Sequence, residues 1–248
     1  MIWGFKMALA DLTELEILEG SLGLVWVLFA IVIGVRVISK AISLGRTHDL
    51  ITVGLSYIFV SSAWWGVAAQ FVSFGFFDVR LDAFSYLLIA NIFISFAMVC
   101  WIWSYCQIIE PKKKMGIMII YTIFSVIWEI YVIVGLFTDI ALVGTLNGIF
   151  DSSHNRFLLI IILVGVFSFL ITGIHFAYKS MKLDDAQIQW KGRFLLIAWI
   201  SFALGALLDA ALPLTTLTLI VVRIILITSA IEFYFGFFLP KKMAQKLV

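Results

Sequence analysis

The chain has 248 residues, of which 63% are hydrophobic and only 13% are charged. A soluble domain cannot bury so much apolar surface, so the composition excludes that class and predicts a polytopic membrane protein. The net charge of +2 does not favour nucleic-acid binding. The apolar runs are long and continuous, which predicts an all-α protein rather than a membrane β-barrel with its short alternating segments.

The apolar runs follow one another along the whole chain, and each is about 20–25 residues long, the length of a helix that crosses a bilayer. We predict seven transmembrane helices, near residues 20–41, 50–75, 83–109, 115–137, 156–181, 191–212 and 214–238. Residues 9–20, which include four acidic side chains, precede the first span and are predicted to form a short amphipathic helix on the outer surface. The loops leave no room for a soluble domain, so residues 1–248 should form a single transmembrane domain.

Lysine and arginine are distributed unevenly between the two sides of these spans. If the N-terminus is outside, thirteen basic residues fall on the cytoplasmic side, three fall outside, and Arg223 lies within span 7. Because cytoplasmic loops are enriched in Lys and Arg, this bias predicts a cell-membrane protein with an outer N-terminus and a cytoplasmic C-terminus. None of Asn91, Asn147 and Asn155 begins a glycosylation sequon, which is compatible with a prokaryotic source.

The chain shows signs of an internal repeat. A shift of 139 residues pairs small and polar residues at fixed spacing: Gly34 with Gly173, Arg36 with His175, Lys40 with Lys179, Ser62 with Ser201, and Gly66 with Gly205. A second shift, of 129 residues, pairs Tyr105 with Tyr234. We predict that spans 1–3 and 5–7 are two copies in parallel orientation, with span 4 as the linker. The alternative is that apolar helices resemble one another by chance.

This three-plus-one-plus-three plan resembles microbial rhodopsins and SWEET-type sugar transporters, at the level of topology alone. Rhodopsins hold retinal on a lysine in the last span, whereas span 7 here carries Arg223 and no lysine, so covalent retinal is not expected. SWEET transporters have prolines inside their spans, but the three prolines of this chain lie at span ends. Seven-helix receptors share the number and direction of spans, although their DRY-like and NPxxY-like motifs are absent.

Polar side chains inside a bilayer are costly, so those in the spans mark candidate sites. Helical rise places four of them in the outer halves of four different spans. These four are Asn91, Glu129, Asp209 and Arg223. On span 2, Tyr57 and Trp64 belong to a stripe that should turn inward. We predict an outward-facing ligand pocket in which Arg223 pairs with Asp209 or, as second choice, with Glu129. The alternatives are a structural ion pair, Asp209 and Arg223 side chains that reach the outer interface, and aromatic packing without a ligand. The alternative for Glu129 is a protonated packing residue bonded to a neighbouring helix.

A second polar group is predicted at the inner mouth of the bundle. Arg36 and His175 occupy equivalent positions of the two copies near the cytoplasmic end, and Glu232 lies about two turns from the end of span 7. We expect Glu232 to meet His175 or Arg36 there. The alternative for His175 is an ordinary interface residue.

The sequence predicts neither catalytic residues, nor a metal site, nor a cofactor. The three histidines, His48, His154 and His175, lie on different elements, which gives no metal triad and no pair of haem ligands. No Walker loop or nucleophile elbow is present, so an enzyme is not expected.

Two functions follow from this pattern. The first is a receptor-like sensor or small-ligand-binding membrane protein; the alternative is a small-solute or ion transporter that uses the pseudo-symmetry. The lack of an attached signalling domain counts against a self-contained sensor. The lack of hinge prolines and of a continuous acidic relay counts against a transporter. The expected partners are the lipid bilayer and a small apolar or weakly polar ligand, without nucleic acid. A homo-oligomer or a cytoplasmic partner is compatible with either function.

Overall fold

The computed structural model describes residues 12–43, 45, 47–212, 215–240 and 243. The α-helices within them are α1 (Glu14–Ser43), α2 (Thr47–Val60), α3 (Trp65–Phe77), α4 (Ala83–Asn91), α5 (Ile94–Ile108), α6 (Lys114–Thr138), α7 (Arg156–Met181), α8 (Ala186–Ala211) and α9 (Thr216–Phe238). Short 3-10 helices cover Ser61–Trp64, Pro111–Lys113 and Ile140–Leu142, and two strands cover Gly144–Leu146 (β1) and Ser152–His154 (β2).

These helices form seven spans that are long and apolar enough to cross a membrane, which confirms the predicted all-α class. Helix α1 is span 1, α2 and α3 with the turn between them form span 2, α4 and α5 form span 3, and α6 to α9 are spans 4 to 7. Span 1 begins at Glu14, so the acidic stretch is continuous with it rather than a separate helix. Predictions that concern residues 1–11, Arg46, Pro213 and the C-terminal lysines lie outside the described residues.

Six of the spans form a ring in the order 1, 2, 3, 5, 6, 7, in which each span packs on the next and span 7 packs on span 1. Span 4 lies outside this ring and packs mainly on span 3. Its outward face exposes large apolar side chains such as Ile120, Ile127 and Phe137. In a bilayer these side chains contact lipid, which explains why the span is apolar although little of it is buried in the protein.

The glycines used to align the two predicted copies all lie at close helix contacts. Gly34 faces span 2 and Gly173 faces span 6, while Gly66 faces span 3 and Gly205 faces span 7. Paired glycines therefore contact corresponding neighbouring spans in the two halves. Small residues at such positions allow membrane helices to approach closely. The duplication itself stays a prediction.

Spans 2 and 3 are interrupted next to each other, and neither interruption involves proline. Span 2 tightens into a 3-10 helix at Ser61–Trp64, and span 3 breaks between Asn91 and Ile94. The Phe93 ring in the second break packs against Trp65, with 5.3 Å between ring centroids. Such interruptions change the direction of the side chains that follow. Trp64, the last residue of the 3-10 helix in span 2, is buried in the interior of the ring.

A β-hairpin connects spans 4 and 5 and covers one end of the bundle. Strands β1 and β2 pair antiparallel, with Gly144 opposite His154. Val143 and Phe150 are fully buried, and the Tyr86 hydroxyl of span 3 donates to the Phe150 carbonyl. We call this end of the bundle, where span 1 begins, the hairpin end. The opposite end, where span 1 ends and the 3–4 and 5–6 loops lie, is called the basic end.

Candidate functional site

A cavity of about 420 Å³ lies under the hairpin and between the spans; we call it the hairpin pocket. Its deeper wall is apolar and includes Val60, Ile94, Leu163, Phe169 and Phe202. Its polar side chains come from spans 1, 6 and 7 and from the hairpin, and they include Glu19, Asp151, His154, Asp209 and Arg223. A mostly apolar cavity with a few convergent polar groups is the usual form of a small-molecule site.

An ion pair between spans 6 and 7 forms one wall of the hairpin pocket. Arg223 Nη1 lies 2.9 Å from both carboxylate oxygens of Asp209, and Trp64 Nε1 donates to Asp209 Oδ2 at 2.8 Å. This geometry confirms the first of the two predicted partners for Arg223. The arginine is only 3% exposed, and its Nε has no hydrogen-bond partner among the described residues.

A second buried donor without a partner belongs to Trp128 of span 4. Its side chain is 1% exposed and lines the pocket, and its Nε1 makes no hydrogen bond with the described residues. Gly165 of span 5 lies against the indole and leaves room for it. Buried donors in folded proteins are almost always paired, so an unpaired one on a residue that lines a cavity is consistent with an acceptor that a bound molecule supplies.

Glu19 is a pocket residue that the sequence prediction missed. Its side chain is 4% exposed, lines the cavity, and interacts electrostatically with Asp151, Asp209 and Arg223. Gly23 and Trp26, four and seven residues further along span 1, are buried as well, so the three share one inward face. The spacing of these three residues in the sequence could have indicated that Glu19 points inward.

The hairpin contributes Asp151 and His154, which the prediction also missed. Burial raises the pKa of the Asp151 carboxyl, although Asn147 Nδ2 lies 3.5 Å from it and can donate. Burial lowers the pKa of His154 to about 4, so this imidazole is neutral at pH 7. Because the Asn91 amide nitrogen donates to the Leu87 carbonyl, its oxygen accepts from His154 Nε2 at 3.2 Å.

His154 makes the stability of the folded protein dependent on pH. Its pKa falls from 6.5 to about 4 on folding, so between these values the unfolded chain binds a proton that the folded chain does not. The stability is therefore complete above pH 6.5 and falls by up to about 3 kcal/mol as the pH approaches 4. His154→Gln keeps a donor for Asn91 but does not titrate. Melting in detergent from pH 7 to pH 4.5 should show a steeper loss for the wild type; equal losses would contradict the prediction.

The structure brings together only part of the predicted ligand site. Trp64, Asp209 and Arg223 line the hairpin pocket, and Asn91 lies behind it as the partner of His154. Glu129 lies between spans 3 and 4, away from the cavity, where the Ser95 hydroxyl donates to it. Tyr57 lines a separate cavity of about 20 Å³ deeper in the ring, and its hydroxyl has no partner among the described residues.

The three predicted inner-mouth residues lie on different contacts. Arg36 donates to the Tyr234 hydroxyl at 3.2 Å, and His175 Nδ1 lies 2.7 Å from the Tyr105 hydroxyl. Glu232 meets neither basic residue, because it interacts with Ser201 of the neighbouring span 6. The inner-mouth group is thus two separate basic–tyrosine contacts and one carboxyl group between spans 6 and 7.

Comparison with protein-family models, curated proteins and solved structures gave no match. The fold and its composition define a seven-helix integral membrane protein, which places the chain in a lipid bilayer. Its function must therefore be inferred from the chemistry of the hairpin pocket.

Proposed function

We propose that this chain is a receptor-like, ligand-binding membrane protein that holds a small molecule in the hairpin pocket. The cavity of about 420 Å³ falls within the range of about 300–1,000 Å³ that is typical of ligand sites. A binding role rather than catalysis also agrees with the lack of enzyme motifs in the sequence.

One observation carries this proposal: two buried donors line the pocket without an acceptor. Trp128 Nε1 and Arg223 Nε are both desolvated by the surrounding helices, and neither has a partner among the described residues. Leaving such a donor unpaired costs about 1–3 kcal/mol. A ligand with an apolar body would fill the apolar wall, and a small rotation of the two side chains would bring these donors to an oxygen acceptor on the ligand.

The proposal includes the direction of the protein in the membrane. The bias of Lys and Arg in the sequence favours the hairpin end outside and the basic end in the cytoplasm, so the pocket would take its ligand from the outside. A reporter inserted near Ser152 should then be accessible from outside intact cells, and one between Lys114 and Met115 should not. The reverse pattern would contradict this orientation.

The binding proposal is tested by a thermal-shift screen of small molecules against the purified full chain in detergent. A true pocket ligand raises the melting temperature of the wild type. Ala206→Phe places a ring in the pocket that Ala206 lines, so it should abolish the shift. Leu204→Phe introduces the same ring, with a smaller gain in volume, at an exposed position of the same span and should preserve the shift. A screen without hits, or hits equally affected by both variants, would contradict the proposal.

A second candidate function, transport of the ligand, is favoured by cavities that lie in series through the ring. The hairpin pocket shares Val60, Phe169 and Phe202 with the cavity of about 20 Å³, which in turn shares Phe237 with one of about 310 Å³ at the basic end. Passage would require these side chains to move. Uptake of a labelled hit into proteoliposomes would favour transport, whereas binding without uptake would favour the receptor-like function.

A further inference from the structure

We propose that the ligand of the hairpin pocket is a small organic cation, an amine with an apolar body, held by Glu19 and Asp151. This inference rests on the proposed binding function and adds the charge of the ligand. It follows from the charges that line the pocket, the burial of Glu19 and the aromatic rings around the cavity.

The pocket contains more acidic than basic side chains. Glu19, Asp151 and Asp209 contribute three carboxyl groups. The basic residues among the described residues that line the pocket are Arg223 and His154. Arg223 makes its ion pair with Asp209, and His154 is neutral at pH 7 because burial lowers its pKa to about 4. Among the described residues, Glu19 and Asp151 therefore have no ion pair of their own, although the charge of Arg223 acts on both of them.

Glu19 provides the second, independent observation. Its side chain is 4% exposed and lines the cavity, yet no described residue donates a hydrogen bond to it. A buried carboxyl group holds a proton unless a cation or hydrogen-bond donors stabilise its charged form. An ammonium group of a ligand supplies both, since it carries a positive charge and donates hydrogen bonds.

The surroundings fit an organic cation better than a metal ion or an anion. Aromatic side chains line the same cavity, and their faces attract cations: Trp64, Tyr86, Trp128, Phe150, Phe169 and Phe202. Among the residues that the structure describes, no cluster of His, Cys, Asp and Glu can hold a metal ion. An anion would have to displace Asp209 from Arg223 and would meet the carboxyl groups of Glu19 and Asp151, which offer it no positive charge.

The unpaired donors of Trp128 and Arg223 indicate a second polar feature of the ligand. Both are nitrogen donors, so they require an acceptor such as a hydroxyl, ether or carbonyl oxygen. An amine that also carries one oxygen acceptor on its apolar body would complement both the carboxyl groups and the unpaired donors.

The charge of the ligand is tested with three probes that share one apolar body: 4-phenylbutylamine, 4-phenylbutanol and 4-phenylbutyrate. Binding to the purified full chain is measured at pH 7 by calorimetry and by thermal shift. The amine should bind at least about tenfold more tightly than the alcohol, and the acid should bind least. Equal or tighter binding of the alcohol or the acid would overturn the inference.

Variants at the two carboxylates locate the effect. Glu19→Gln and, independently, Asp151→Asn should each weaken binding of the amine by more than about tenfold and leave binding of the alcohol within about twofold. Glu14→Gln, which changes an exposed carboxylate on the same helix, should leave both probes unaffected. If the alcohol binds as tightly as the amine, the pocket binds a ligand as proposed, but the inference that this ligand is a cation is wrong. Failure of Ala206→Phe to abolish binding would instead contradict the proposed site itself.

Discussion

Arg223→Leu is expected to lower the free energy of unfolding by about 3 kcal/mol, and a second change, Asp209→Leu, should partly restore it. The single change leaves the Asp209 carboxylate without its cation in a pocket that already contains Glu19 and Asp151. The double change removes both charges and replaces them with apolar groups, which suit the bundle. The estimate lies at the lower end for buried pairs because the Asp209 side chain is 24% exposed.

Thermal unfolding in detergent of the wild type, both single variants and the double variant measures the coupling between the two residues. Arg156→Leu makes the same chemical change at an exposed position at the start of span 5 and should have little effect. Additive losses in the double variant would show that the ion pair does not stabilise the fold. The ion pair between spans 6 and 7 would then not be a stable part of the pocket wall.

Gly54→Leu should have a still larger effect, a loss of at least about 3 kcal/mol that prevents accumulation of folded protein. A Cβ atom at Gly54 would lie 2.6 Å from the Gly34 carbonyl oxygen, and one at Gly34 would lie 2.7 Å from the Gly54 carbonyl oxygen. The clash is with backbone, which cannot rotate away as a side chain can. Spans 1 and 2 would have to separate, and the inward faces that carry Glu19 and Trp64 would move apart.

Gly116 offers the matched control for this change. It lies in span 4, and nothing occupies the space within 4 Å of a Cβ added there. Gly116→Leu should be neutral or slightly stabilising, because leucine favours helix more than glycine does. Yield of folded protein on size-exclusion chromatography and the melting temperature in detergent report both variants. Similar behaviour of the two would show that the close approach of spans 1 and 2 is not needed for folding.

The sequence was sufficient for the spans and for the ion pair of the pocket. The lengths of the apolar runs are set by bilayer thickness, so seven helices could be predicted without knowledge of their packing. Arg223 and Asp209 could be paired because they lie on consecutive antiparallel helices at comparable depth. A charged group inside a span has few partners to choose from, which makes such pairs predictable.

The hairpin and its pocket residues could not be predicted in the same way. Each strand has three residues, which is too short for an alternating pattern to stand out. Glu19 was assigned to a separate surface helix because its acidic neighbours dominate that stretch, although its spacing to Gly23 and Trp26 indicates an inward face. Glu129 was misplaced because helical depth says nothing about which neighbouring span a side chain meets.

The two basic–tyrosine contacts at the basic end bear on how such a bundle could assemble. Arg36 of span 1 meets Tyr234 of span 7, and His175 of span 5 meets Tyr105 of span 3. Each contact joins one half of the ring to the other, and the partners correspond under the predicted repeat. A chain of only three spans that carried one basic residue and one tyrosine at these positions would possess both sides of the contact. Two such chains could close the same ring as a homodimer with an isologous, self-complementary interface.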